Sequence, residues 1–166
     1  TLMYRLASAA AGQVITIEDP VEIVEPRFLQ LQTNPMIGQD YDELIRLSLR
    51  HRPELLLIGE IRNKETAKAA IRAALTGHRV FATIHARGLT ETIARLQELT
   101  EEAAVIDQCL QGIIYQRLLP DLHGVPHALM AYTFYEPHKS SMTWDQALTR
   151  IREKEQITHE VFDKEK

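Results

Sequence analysis

Glu18, Glu60 and His85 each stand at the end of a mostly apolar run. Glu60 follows Glu54-Leu55-Leu56-Leu57-Ile58 and Gly59. Glu18 and Asp19 follow Val14-Ile15-Thr16-Ile17. His85 closes His78-Arg79-Val80-Phe81-Ala82-Thr83-Ile84. Short runs that are apolar at nearly every position read as strands buried on both faces, as in a parallel sheet covered by helices. Ligands of such sheets sit outside the carboxyl ends of the strands. Two acidic groups and a histidine at one crevice suit metal-assisted hydrolysis. One carboxylate would serve the metal or its waters, and the other would polarise the attacking water. Gly59 permits close backbone approach just before Glu60. Taken singly, each of these groups reads equally as a solvated polar tip after a core strand.

The intervening residues supply the elements that would carry them. Thr1 to Ala11 reads as a short helix stopped by Gly12. Phe28 to Gln32 alternates apolar and polar, as a half-exposed strand in a hairpin or at an edge would. Asn34 to Gly38 is a loop. Asp40 caps a helix, with Glu43 in capping-box position. Leu44 and Leu47, with Ile45 and Leu49, form its buried face, and Arg46 and Arg50 lie towards its negative end. Asn63 caps a second helix with Ala67, Ala70, Ile71, Ala74 and Leu75 inward, ended by Gly77. Thr90 to Leu99 and Glu101 to Gln111 read as two further helices, the second with Ala104, Val105, Cys109 and Leu110 inward. Ile113 to Tyr115, ended by Pro120, and His127 to Tyr135 pair as a hairpin across the Asp121 to Gly124 turn. His123 and His127 carry little weight as a metal pair, because Gly124 and Pro126 break any helix between them. Thr143 opens a last helix to about Glu155, and the charged tail from Gln156 is expected to fray.

Strand and helix alternate, which is the signature of an α/β domain with a parallel sheet. Right-handed crossovers then put Glu18, Asp19, Glu60 and His85 on one edge. The 166 residues suggest one domain, and 45% hydrophobic with 25% charged residues is ordinary globular composition. A net charge of -4 gives no support for general nucleic-acid binding. Cys109 is the single cysteine, which excludes an internal disulfide and a four-cysteine zinc site and fits a reducing cytoplasm. No apolar run reaches the length of a membrane span, and no signal peptide is expected. The chain opens on Thr1, and Leu2 to Ala7 reads as the inside of a helix with no cap ahead of it. The expectation is that further sequence lies upstream.

Three stretches resemble the secretion and pilus traffic ATPases. Val14 to Glu22 resembles their acidic Asp box. Pro53 to Arg62, with Glu65-Thr66-Ala67, resembles their Walker B region. Leu75 to Ala86 resembles their His box. The resemblance covers roughly residues 1 to 118 and is strongest to ComGA-type competence ATPases, which fits the lack of a four-cysteine insert near Arg117-Leu118. It implies an α/β, RecA-like P-loop NTPase core over residues 1–120, with a small C-terminal hairpin and helix over residues 121–166 of the same domain. It implies ATP and Mg²⁺ as cofactors and a hexameric ring at the cytoplasmic face of the cell membrane. The ring would meet an inner-membrane platform protein and drive assembly of a pilus-like fibre for DNA uptake or secretion. By the family's pattern Glu18 is the candidate base and Glu60 serves Mg²⁺ through its water shell, although these roles could be exchanged. Asp19, Glu22 and Arg62 belong with the nucleotide site. His78 and His85 sense nucleotide or link subunits. Asn63 stands where relatives often have Asp.

The phosphate-binding G-x-x-x-x-G-K-[ST] is absent from the 166 residues. The family places it just before Thr1, so this stretch by itself is expected to be inactive. A non-catalytic module of the same shape and a metal-dependent hydrolase using Glu18, Asp19 and Glu60 remain alternatives.

Overall fold

A computed structural model describes residues 2–135 and 139–166, so Thr1, assigned above to the first helix, lies outside the described residues. The described residues group into two compact units, those of Thr1–His85 with Arg95–Cys109 and those of Ala86–Ala94 with Leu110–Lys166.

The first unit is built on strands β1 (Val14–Glu18), β2 (Leu29–Gln32), β3 (Leu55–Ile58) and β4 (Arg79–Ala82). They form a parallel sheet in the order β2-β1-β3-β4. All four residues of β3 are buried, so alternate side chains feed two cores. Leu56 and Ile58 join Ile15 and Ile17 beneath α2 (Tyr41–Ser48) and α3 (Lys64–Leu75). Leu55 and Leu57 join Val14 on the other face, under α1 (Leu2–Ala7). Apolar runs thus become strands covered on both sides, as the sequence implies.

Several local expectations are corrected. Of the two placements open to the alternating segment the edge one holds: 29–32 pairs parallel to β1 at the sheet edge and is no hairpin arm. Helix α1 ends at Ala7 rather than Ala11, and the Gly12 amide donates to the Glu54 carboxylate. Strand β4 stops at Ala82 and is only half-buried, so His85 stands three residues past its end. Asp40 caps α2 through the Glu43 amide, but the Glu43 carboxylate turns to Arg46, so the reciprocal half of a capping box is not made. Asn63 caps α3 as expected. The buried face of α3 is Thr66, Ala67, Ala69, Ala70 and Ala73, while Ile71 and Ala74 are half-buried and Leu75 is exposed. The small residues, not the large ones, face inward, because they let the helix lie close to its neighbours. Helices α4 (Leu89–Thr100) and α5 (Ala103–Cys109) follow. Leu99 enters the first core, and Ile106 rather than Ala104 is the buried residue of α5. Cys109 is half-buried, and burial pushes its thiol pKa up.

In the second unit β5 (Gly112–Pro120) and β6 (Pro126–Phe134) make the expected hairpin, and β7 (Ser140–Met142), absent from the sequence reading, extends it. Asp121 organises the turn by accepting from the His123 and Val125 amides at 2.8 and 2.9 Å. These bonds hold its carboxyl below the usual value. Helix α6 (Trp144–Glu153) packs Ala147 and Leu148 against Leu119 and Leu129. The tail does not fray: α7 (His159–Glu165) is capped by Thr158 and buries Phe162 in the same core. Thr143 and Gln146 form a reciprocal capping box at the start of α6, with bonds of 3.2 and 2.9 Å. Replacing Thr143 by Ala should cost about 1 kcal/mol, read as a lower urea midpoint.

Candidate functional site

The register of the sheet brings the two acidic strand ends together. Ile17 lies opposite Ile58, so Glu18 and Gly59 leave the sheet side by side. The Gly59 amide donates to the Ile17 carbonyl at 2.7 Å, and the Thr83 hydroxyl donates to the Gly59 carbonyl. A Cβ at Gly59 would lie 3.0 Å from the Ile17 carbonyl oxygen and 3.0 Å from the Tyr41 hydroxyl. Close backbone approach is therefore the reason for glycine here, as the sequence suggested.

Glu60 is held on both carboxylate oxygens. Oε2 accepts from Arg62 Nε at 2.5 Å, and Oε1 lies 3.1 Å from His85 Nε2. Its side chain is 15% exposed, whereas that of His85 is 93% exposed. Arg62 also reaches the Asp19 carboxylate at 3.6 Å. The hydrogen bond to Glu60, and then its charge, raise the Arg62 pKa. Tyr41 stands beside this group, and its phenol pKa is raised first by burial and then by the negative charge of Asp19. Glu60, Arg62, Asp19 and His85 thus form one connected set.

Glu18 has a different setting. It is bonded by neutral donors: Thr16 Oγ1 at 2.6 Å, the Tyr4 hydroxyl at 2.8 Å and Gln30 Nε2 at 3.0 Å. Tyr4 comes from α1, and Gln30 comes from β2 opposite Thr16. Glu22 is exposed in the loop that follows the cis Asp19-Pro20 peptide, and its charge adds to the rise in the Tyr4 pKa. His78 is not brought to this edge. It precedes β4, at the amino end of the sheet, with Nδ1 3.2 Å from the Thr76 hydroxyl.

Sequence reasoning missed Tyr4, Thr16, Gln30 and Tyr41. Thr16 carried a usable signal, since it lies two residues before Glu18 on a strand and so shares its face. Tyr4 and Gln30 carried none without the fold.

Among the described residues no group of three His, Cys, Asp or Glu side chains is arranged to hold a metal ion. One carboxylate at a strand mouth fits Mg²⁺, which keeps most of its waters and takes phosphate oxygens in place of a protein cage. Glu18 and Glu60 each present a carboxylate at such a mouth. A backbone cradle for phosphates is not among these residues, because the sequence holds no Gly-Lys pair.

The parallel sheet with helices on both faces, taken with its superposition on a pilus motor, is a RecA-like P-loop NTPase core. The chain belongs to the type II/IV secretion system protein family, which matches residues 1–159. It is 48% identical over 153 residues to competence protein ComGA of Streptococcus pneumoniae, covering 89% of this chain and 48% of that protein. It is 45% identical over 104 residues to the type IV pilus assembly ATPase PilB of Thermus thermophilus, covering 63% of this chain and 12% of that protein. The fold superposes on the pilus retraction motor PilT with bound ADP at a TM-score of 0.82 and 27% identity, over 95% of this chain and 53% of that one. The chain therefore spans about half the length of that ComGA, and less of that PilB.

Proposed function

We propose that these residues are part of an ATP-hydrolysing motor that drives assembly of a pilus-like fibre for DNA uptake or secretion. The observation that carries this reading is the emergence of Glu18 and Gly59-Glu60 side by side from adjacent parallel strands. MgATP, when bound, supplies the phosphoanhydride bond and the cation that neutralises its charge. Glu18, bonded by neutral donors, is suited to take a proton from a water. Glu60, paired with Arg62, would accept from the waters around Mg²⁺. His85 bonds Glu60 from an exposed position and is placed to report nucleotide state to a neighbouring subunit. Asp19 holds Arg62 from the other side. His78, at the far end of the sheet, is assigned to linking subunits.

The names of the relatives support this reading: one is a competence protein and another a pilus assembly ATPase. The motor is proposed to act as a ring of identical subunits, six in number, against a platform protein at the cytoplasmic face of the membrane. No described helix is long and apolar enough to cross a membrane. The phosphate-binding loop is assigned to sequence outside these 166 residues.

Phosphate release from MgATP tests the proposal, comparing the full-length protein with residues 1–166 alone. Turnover by the full-length protein and none by the shorter piece is the expected result. No turnover by the full-length protein, at high concentration and with membranes present, would replace the motor with a non-catalytic assembly module. Tight Mg²⁺ binding by residues 1–166 without nucleotide would favour a metal-dependent hydrolase instead.

A further inference from the structure

The Glu18 carboxylate is unequally bonded. Oε1 takes the Thr16 hydroxyl at 2.6 Å and the Gln30 amide at 3.0 Å. The Tyr4 hydroxyl lies 2.8 Å from both oxygens and 3.3 Å from the Ile23 carbonyl, with one proton to share among them. Among the described residues that shared phenol is the donor within reach of Oε2. The donors themselves are fixed. The Tyr4 ring stands edge-on to Phe28, with centroids 5.6 Å apart, in the core under α1. Gln30 Nε2 has two protons for three acceptors, Glu18 Oε1 at 3.0 Å and the Tyr4 hydroxyl and Ile23 carbonyl, each at 2.9 Å.

We infer that Tyr4 and Gln30 are positioning residues that, with Thr16 on Oε1, hold the Glu18 carboxylate in one orientation towards the attacking water. The inference rests on the assignment of Glu18 as the base. Burial, and then the Glu18 carboxylate itself, raise the Tyr4 pKa well above its usual value. The phenol therefore stays a donor through the neutral range. Without it the carboxylate loses the one donor that reaches both oxygens, and its orientation is less tightly held. The water must then find the base in one of several orientations, which costs rate and not nucleotide affinity.

The test is steady-state MgATP hydrolysis by the full-length protein. Tyr4→Phe keeps the ring on Phe28 and removes only the hydroxyl. It should lower kcat about tenfold and leave KM within about twofold, the loss of one hydrogen bond to a charged group. In a Glu18→Gln background the same change should alter the residual rate by less than about twofold, because its effect passes through the base. A merely structural role would lower both rates by the same factor. Should Tyr4→Phe fail to fold, Gln30→Leu carries the same comparison with the Tyr4–Phe28 contact intact. Wild-type kcat in Tyr4→Phe, with Glu18→Gln inactive, overturns the positioning role alone. A full tenfold loss persisting in the Glu18→Gln background overturns it as well. Wild-type turnover by Glu18→Gln itself would remove the base assignment and this inference together.

Discussion

Glu18→Gln in the full-length protein should lower MgATP turnover about a thousandfold and leave nucleotide affinity within about threefold. Glutamine matches glutamate in size, and its carbonyl oxygen still accepts from Thr16 and Gln30. The fold around β1 is therefore kept: Val14 to Ile17 are buried without help from the carboxylate. What is lost is the group that can take a proton. The neighbouring Glu60 is held by Arg62 and His85 and, in the proposed motor, serves the waters of Mg²⁺ instead. Phosphate release under saturating MgATP, alongside binding of a fluorescent nucleotide, separates the two effects. Loss of binding in parallel with turnover would show that Glu18 holds nucleotide and does not serve as the base. Turnover lost in Glu60→Gln but kept in Glu18→Gln would exchange the two assignments.

The central sheet was legible because its strands are buried on both faces. Leu55 to Ile58 have no polar side chain to disguise them, and a proline and a glycine bound the run. The same simplicity exposed Glu18 and Glu60, since a carboxylate directly after such a run must emerge at the strand mouth. Legibility fell where burial depends on a partner. Helix α7 offers a single buried large residue, Phe162, in an otherwise charged stretch, so no periodic stripe announces it. In α3 the packed face consists of alanines and a threonine, and the larger Ile71 and Leu75 misdirect a reading based on size. Two partners of Glu18 lie 14 and 12 residues away in sequence: Tyr4 meets it from α1, and Gln30 meets it because β2 runs parallel to β1. Alternation in Leu29 to Gln32 shows a half-exposed strand but not its direction, and direction is what brings Gln30 to Glu18.

Gly59→Val should destabilise the first unit by about 3 kcal/mol and depress turnover together with stability. The reason is geometric. A Cβ at this position meets the Ile17 carbonyl oxygen at 3.0 Å, and the Glu18 Cα at 3.4 Å. Both belong to backbone in the middle of the sheet edge, which cannot rotate aside as a side chain would. The Tyr41 hydroxyl, also at 3.0 Å, has to move too. Relief requires β1 and β3 to part where the Gly59 amide bonds Ile17. That opening separates Glu18 from Glu60, so the rate falls through the same displacement that weakens the fold. Gly59→Ala keeps the first contact without the two methyl groups and should cost about half as much. Leu75→Ala, on the exposed side of α3, is the control and should stay within about 0.5 kcal/mol of wild type. Urea denaturation ranks the three variants, and turnover measured well below each midpoint shows whether activity follows the strand separation. A fully stable and active Gly59→Val would mean that the two acidic strand ends are not held by this contact. The shared geometry proposed for Glu18 and Glu60 would then have to come from the loops around Asp19 and Arg62 instead.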